Sequence, residues 1–343
     1  MNNRILFYSS VKSKTLFETQ KFYKIDIDIL KNIGFNVYPT NRIADFFKFW
    51  YYDISFIYFY RYGVFPALIS KIFGKRVFFT GGIDDLEESY ATRRRYIIQR
   101  IFFKLCCLFS NKCIIVSVSD FENIKRIYRN RLPKKIVKSF HSIDVDRFIC
   151  DDKSKCDDFT TIVWMGGKNN VQRKGVDTAL VLFSILSKKY NEFSNSKFII
   201  IGKEGDGTLY IKELIEKLNI ENMVKFTGEI DESTKIDILK KSKYYFQLSK
   251  YEGFGLAAIE ALASRNIVFH SNKGGLRDSV GRHGIIINID EDLEAQIETI
   301  YQNIISVNDE FLSEAESYVK LNFSNERRIE DFKKIILEKN VEK

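Results

Sequence analysis

The chain has 343 residues, 45% hydrophobic and 29% charged, which suits two domains of about 150 residues better than one core. Three prolines and 18 glycines exclude collagen-like and proline-rich linker architectures, and 15% aromatics exclude intrinsic disorder. The net charge of +9 is unevenly spread: residues 1–150 carry +13 and the remainder −4. The basic half suits an anionic partner, whether nucleic acid, a membrane surface or a phosphorylated substrate; a plain lysine-rich composition is the alternative.

The most apolar windows, 46–60 and 97–109, are interrupted by Lys48, Asp53, Arg100 and Lys104, so a transmembrane helix is not expected. The first ten residues read as a strand, with no secretion signal. Five cysteines without a C-x-x-C pair predict neither a disulfide framework nor a zinc site, hence a reduced, cytoplasmic chain.

In chain order, 5–8 reads as a strand, 16–33 as an amphipathic helix ending at Gly34, and 36–38 as a strand stopped by Pro39. Strands at 54–58, 76–79 and 113–118 alternate with helices at 66–73 and 90–109. Proline at a helix start and glycine just past a helix end follow the expected asymmetry. The polar, aperiodic stretch 149–158 reads as a linker. Alternation then resumes, with strands at 160–165, 197–201, 224–226, 244–248 and 267–270, and helices at 175–190, 208–219, 232–242 and 255–264. Helical periodicity fills most of 291–338. The pattern predicts two α/β, Rossmann-like doubly wound domains facing a cleft, 1–150 and 151–322, with a C-terminal helix in 323–343 packing back on the first.

The strongest local signal is Lys250-Tyr-Glu-Gly-Phe-Gly-Leu-Ala-Ala-Ile-Glu-Ala-Leu-Ala263. A strand enters a glycine loop that opens a helix, where backbone N–H groups favour an anion. Glu260 lies among Ala257, Ala258, Ile259 and Ala261, and a carboxylate in such company needs a partner that ligand hydroxyls would supply.

This stretch resembles the retaining family-4 glycosyltransferases, the group 1 glycosyltransferases of the GT-B fold. Their signature is Glu-x7-Glu within E-G-F-G-L-x-x-x-E-A-x-A. Phe198-Ile-Ile-Ile-Gly202, Val224-Lys-Phe-Thr-Gly228, Gly274-Gly275, His283-Gly284 and His141-Ser-Ile-Asp-Val-Asp-Arg-Phe148 are similar to further family segments. The likeness covers roughly residues 110–290 well and the first 110 poorly.

The resemblance implies that Glu260 holds ribose hydroxyls of a nucleoside-diphosphate sugar, and that Glu252 holds hydroxyls of the transferred sugar. Gly253, Phe254, Gly255 and Leu256 would contact sugar and diphosphate, with Gly202 and Gly228 also on the donor side. In Trp164–Gly175, read as a long basic loop, Lys174 matches the family's phosphate-gripping lysine. Gly167 stands where the family has an arginine, leaving Lys168 or Arg173, beside Gly166, to supply that charge.

On the acceptor side, Gly81, Gly82 and Asp84 follow a strand. Asp84 is the nearest polar candidate for a catalytic role there, because the family's histidine is missing. No metal and no cofactor is expected. Asp26-Ile-Asp28 and Asp144-Val-Asp146 look like metal clamps, but the first falls in a helix and the second at the domain junction.

The expected activity is therefore retaining, metal-independent transfer of a sugar to a hydroxyl. The expected acceptor is a lipid-linked oligosaccharide in surface-polysaccharide (O-antigen or capsule) synthesis. The chain would be cytoplasmic, peripheral at the inner face of the plasma membrane, with 93–109 and 125–138 as anionic-lipid contacts and no nucleic-acid partner. Alternatives are a non-catalytic sugar-nucleotide or membrane-binding partner, and a GT-B-fold epimerase or phosphorylase.

Overall fold

A computed structural model describes residues 3–88, 90–150 and 155–337. They form two compact units, one running to Ile143 and resuming at Phe323, the other spanning Asp144–Asn322. The first contains the parallel strands β1 (Arg4–Tyr8), β2 (Asn36–Thr40), β3 (Ile54–Tyr58), β4 (Arg76–Thr80), β5 (Lys112–Ile115) and β6 (Ile136–Lys138), in the order β2-β1-β3-β4-β5-β6.

Both faces of this sheet are covered, so its strands are apolar at successive positions rather than alternating. Ile5 and Phe7 point into one aromatic-rich layer with helices Lys21–Asn32 and Asn325–Phe332. Leu6 and Tyr8 point into the other, with helices Val64–Ile72, Arg93–Phe109 and Val118–Ile127.

Asp26, in the helix Lys21–Asn32, is no metal clamp. Its carboxylate receives the Arg328 guanidinium, with Nε–Oδ1 at 2.5 Å and Nη2–Oδ2 at 2.8 Å, and both residues are about 1% exposed. Arg328 Nη1 also donates to the carbonyls of Ser139 and Phe140, and the Tyr58 hydroxyl donates to Asp26. Next to this pair, burial and then the Arg328 charge push the His141 pKa down to about 3. The native histidine thus stays neutral while the unfolded one protonates near pH 6.5. Its contribution is complete above that value and lost as pH falls towards 3. His141→Gln should flatten the urea-measured stability profile between those limits; an unchanged slope would place the proton uptake elsewhere.

The second unit holds β7 (Cys156–Ile162), β8 (Phe198–Ile201), β9 (Val224–Gly228), β10 (Ser242–Gln247), β11 (Ile267–His270) and β12 (Ile285–Ile286), all parallel, ordered β12-β11-β10-β7-β8-β9. Phe159, Phe183, Phe198, Phe246 and Phe269 fill its centre, with Phe159 stacked on Phe246 at 5.2 Å.

Three expectations need correction. The helix predicted over 16–33 breaks at Gln20, which is extended (φ −86°, ψ 116°), giving helices Leu16–Thr19 and Lys21–Asn32. Thr19 Oγ1 bonds back to the Thr15 carbonyl, one of the local bonds that compete with helix propagation. The basic stretch after β7 is not a long loop, because Lys168–Lys174 is helical and ends on Gly175 in the left-handed region. In the predicted linker 149–158, residues 151–154 lie outside the described residues, and β7 already occupies the stretch from Cys156.

Candidate active site

In an open parallel sheet, ligands gather beyond the carboxyl ends of the strands where the strand order reverses. In the second unit the reversal lies at β7, which has β8 on one side and β10 on the other. The segments leaving β7 and β10 carry Gly166–Lys174 and Ser249–Leu256, and they meet there.

Gly175 permits the approach. Its φ is +67°, and a Cβ on it would lie 1.9 Å from the Leu248 carbonyl oxygen. With that contact available, Lys250 N–H donates to the Arg173 carbonyl at 2.8 Å, and Lys174 Nζ reaches Glu252 Oε2 at 2.6 Å. Their side chains are 23% and 14% exposed, so this ion pair is half-buried rather than a surface bridge.

Glu252 Oε2 also accepts from Ser249 Oγ at 3.2 Å and Gln247 Nε2 at 3.4 Å. Gln247 is in turn held by Tyr245, whose hydroxyl donates to Gln247 Oε1 at 2.9 Å. Burial pushes the Tyr245 phenol well above its usual range, and the charges of Glu260 and Glu252 add to the effect, so it stays a donor. A polar chain Tyr245–Gln247–Ser249–Glu252–Lys174 thus runs from the sheet interior to the strand ends. Gln247 and Ser249 were not predicted from the sequence. Their signal was there, as polar residues at alternate positions after the apolar run Tyr244-Tyr-Phe246.

Helix Leu256–Ala263 follows, with Gly255 at its N-cap (φ +97°). The first amides of any helix lack intrahelical acceptors, which suits this end to an anion. Glu260, buried at 2% exposure, receives Lys235 Nζ on Oε2 at 2.5 Å. Lys235 comes from helix Glu232–Lys241, lies 3.3 Å from Glu232, and sits over the Phe148 ring at 5.4 Å. No local pattern in the sequence pointed to this second lysine–carboxylate pair.

The remaining candidates separate. Lys168 Nζ stands over the Tyr210 ring at 4.7 Å, and Arg173 Nη2 donates to Asn170 Oδ1 at 3.0 Å. Lys174 is the cation of that helix paired with Glu252. A Cβ on Gly202 would lie 2.1 Å from the Val163 carbonyl oxygen, so this glycine serves close packing of β8 on β7. Gly166 and Gly167 form the turn into helix Lys168–Lys174, Gly253 and Phe254 precede the Gly255 cap, and Gly228 ends β9.

In the first unit, Gly81 and Gly82 leave β4 and Asp84 opens the short 3-10 turn Asp84–Leu86. The neighbouring Ile83 N–H donates to Asp120 Oδ2 at 3.1 Å. Among the described residues, no three His, Cys, Asp or Glu side chains gather as a metal-binding group.

Residues 167–310 match the family model of glycosyl transferases group 1. One subunit of human phosphatidylinositol N-acetylglucosaminyltransferase is 25% identical over 179 residues, 52% of this chain and 35% of that protein. Mannosylfructose-phosphate synthase of Agrobacterium fabrum is 30% identical over 119 residues, 33% of this chain and 26% of the enzyme. The matched stretches thus span about a third or less of these relatives.

Two solved structures share the fold across nearly the whole chain. Anabaena HepE in complex with UDP and glucose has a TM-score of 0.72 at 16% identity, covering 97% of this chain and 99% of that one. Sucrose-phosphate synthase from Thermosynechococcus elongatus has a TM-score of 0.73 at 14% identity, covering 97% and 98%. The two doubly wound units are those of the GT-B fold, and within the second unit residues 167–310 resemble the group 1 glycosyl transferases.

Proposed function

We propose that the chain transfers a sugar from a nucleoside diphosphate to an acceptor hydroxyl with retention of configuration. The observation that carries this reading is the Lys174–Glu252 pair beside a glycine-capped helix N-terminus at the strand-order reversal. Phosphate oxygens prefer cations and N–H donors, while sugar hydroxyls find acceptors in carboxylates. Both kinds of group stand within one short stretch. The UDP and glucose held by HepE support a nucleotide-sugar donor.

In this reading Glu252 takes hydroxyls of the transferred sugar, and Lys174 steadies charge developing on the departing diphosphate. The amides of Gly253, Phe254, Gly255 and Leu256 assist, and Glu260 takes the ribose. The departing phosphate helps to deprotonate the acceptor hydroxyl, with no metal and no enzyme nucleophile required. Gly81, Gly82 and Asp84 serve the acceptor, a lipid-linked oligosaccharide of surface-polysaccharide synthesis presented at the cytoplasmic membrane face.

The test combines a nucleotide-sugar panel with Glu260→Gln. A true donor should raise the melting temperature of the wild type and be turned over with a lipid-extract acceptor. Glu260→Gln, with the fold retained by circular dichroism, should weaken donor binding on the order of 10-fold, about the loss of one charge-assisted hydrogen bond. Unchanged donor affinity in that variant would overturn the ribose assignment. Release of a free epimer, or phosphate-dependent cleavage of a glucan, would replace transfer by epimerase or phosphorylase chemistry.

A further inference from the structure

The first unit exposes a face that is both apolar and cationic. It is the outer side of one helical layer, built from the 3-10 turn Ile43–Phe47, helix Val64–Ile72 and helix Arg93–Phe109. Helix Val64–Ile72 packs against both neighbours, and all three send buried side chains into one core through Phe46, Ala67, Ile69 and Phe103. Their outward sides should then be polar. They are not. Trp50 is 64% exposed, Phe65 54%, Ile72 70%, Ile101 53% and Leu108 66%. Phe65 and Ile72 are seven residues apart on one helix face, as are Ile101 and Leu108 on the next. Trp50 extends the surface, since it packs on Phe49, which stacks on Phe73 at 4.5 Å.

Charge on this face is mainly basic, with acids gathered in the turn before helix Arg93–Phe109. Residues 54–83 contain four Lys or Arg and no acid, and residues 93–119 contain six and no acid. Asp45 pairs with Lys48, Asp53 with Arg4 and Asp85 with Arg95, while Glu87 bonds Asn123 and Glu88 lies beside Tyr96. Arg93, Arg94, Arg100 and Lys104 are exposed on the same helix as Ile101 and Leu108, with Lys104 over the Tyr128 ring at 5.7 Å.

We infer that this face docks on an anionic phospholipid bilayer, with Trp50, Phe65, Ile72, Ile101 and Leu108 entering the headgroup boundary and the cations meeting lipid phosphates. Apolar area and basic charge add in such binding, and each cation near the surface contributes on its own. A second copy of the chain would bring like charge against like. A nucleic acid would meet the cations but leave Ile72, Ile101 and Leu108 without a role, because aliphatic side chains offer no stacking surface. The inference deepens the membrane location proposed above, and it is read without turnover, so a failed acceptor assignment leaves it standing.

The experiment is co-sedimentation of the full chain with vesicles of phosphatidylcholine alone or mixed with phosphatidylglycerol, together with tryptophan fluorescence. Trp164→Phe removes the only other tryptophan, so the signal then reports on Trp50. Sedimentation with anionic vesicles only, weakened by salt, with a blue shift of Trp50 fluorescence, is the expected result. Arg100→Gln/Lys104→Gln should lower partitioning roughly 30-fold, and Ile101→Ser/Leu108→Ser should abolish tight binding at unchanged charge. Equal binding to neutral vesicles, no shift at Trp50, or binding to RNA but not to vesicles would each overturn the inference. Unaltered circular dichroism of both double variants excludes misfolding as the cause of a loss.

Discussion

Lys174→Ala is expected to lower turnover on the order of 100-fold while donor affinity changes far less, the pattern for a charge that acts most on the leaving group. The geometry makes this a sharp test. Lys174 Nζ rests 2.6 Å from Glu252, so the substitution removes the cation and leaves the carboxylate with Ser249 and Gln247. Lys168→Ala and Arg173→Ala are the controls, since one side chain lies on Tyr210 and the other on Asn170. Both should stay within a fewfold of wild type. A Lys168→Ala variant as impaired as Lys174→Ala would move the diphosphate towards the start of helix Lys168–Lys174. Full activity in Lys174→Ala would remove the leaving-group role altogether.

The second large effect is on stability. Arg328→Met should destabilise the first unit by about 3–5 kcal/mol, because it leaves the Asp26 carboxylate buried without its cation. A shift of about 2–4 °C per kcal/mol then predicts a fall in melting temperature of roughly 6–20 °C. Asp26→Leu/Arg328→Met removes both charges and should recover most of the loss. A double variant no better than the single one would mean that packing of Arg328 on Phe332, rather than the charge, holds this helix.

Much of the second unit could be read locally. Lys250 to Ala263 announces a strand end, a glycine turn and a helix because those features depend on neighbours in the chain, and the strand Ile267–His270 begins where the apolar run Ile267-Val-Phe269 does. What could not be read depends on side chains meeting from distant positions. Lys235 finds Glu260 from another helix, and Gln247 becomes part of the site only because β10 lies beside β7. The stretch after β7 looked like a loop because Lys, Asn and Gln gave no apolar periodicity, yet Val171 is buried and anchors a short helix. The basic excess of the first half was visible as a number. That some of its cations share a face with exposed aromatic and aliphatic side chains was not, because Trp50, Phe65 and Ile101 are far apart in sequence.

The Asp26–Arg328 pair has a consequence for synthesis. The two partners are 302 residues apart, with the whole second unit between them in the chain. Domains ordinarily complete themselves in order as they leave the ribosome, at about 5–20 residues per second. Here Asp26 emerges roughly 15–60 s before its cation, at that rate. During that interval the nascent first unit lacks Arg328, Phe332 and Ile336, all buried in the finished layer. The second unit can close first, and the earliest-made unit is finished last. A nascent chain arrested before residue 323 should accordingly yield a protease-resistant second unit and a first unit still open to cleavage and to chaperone capture.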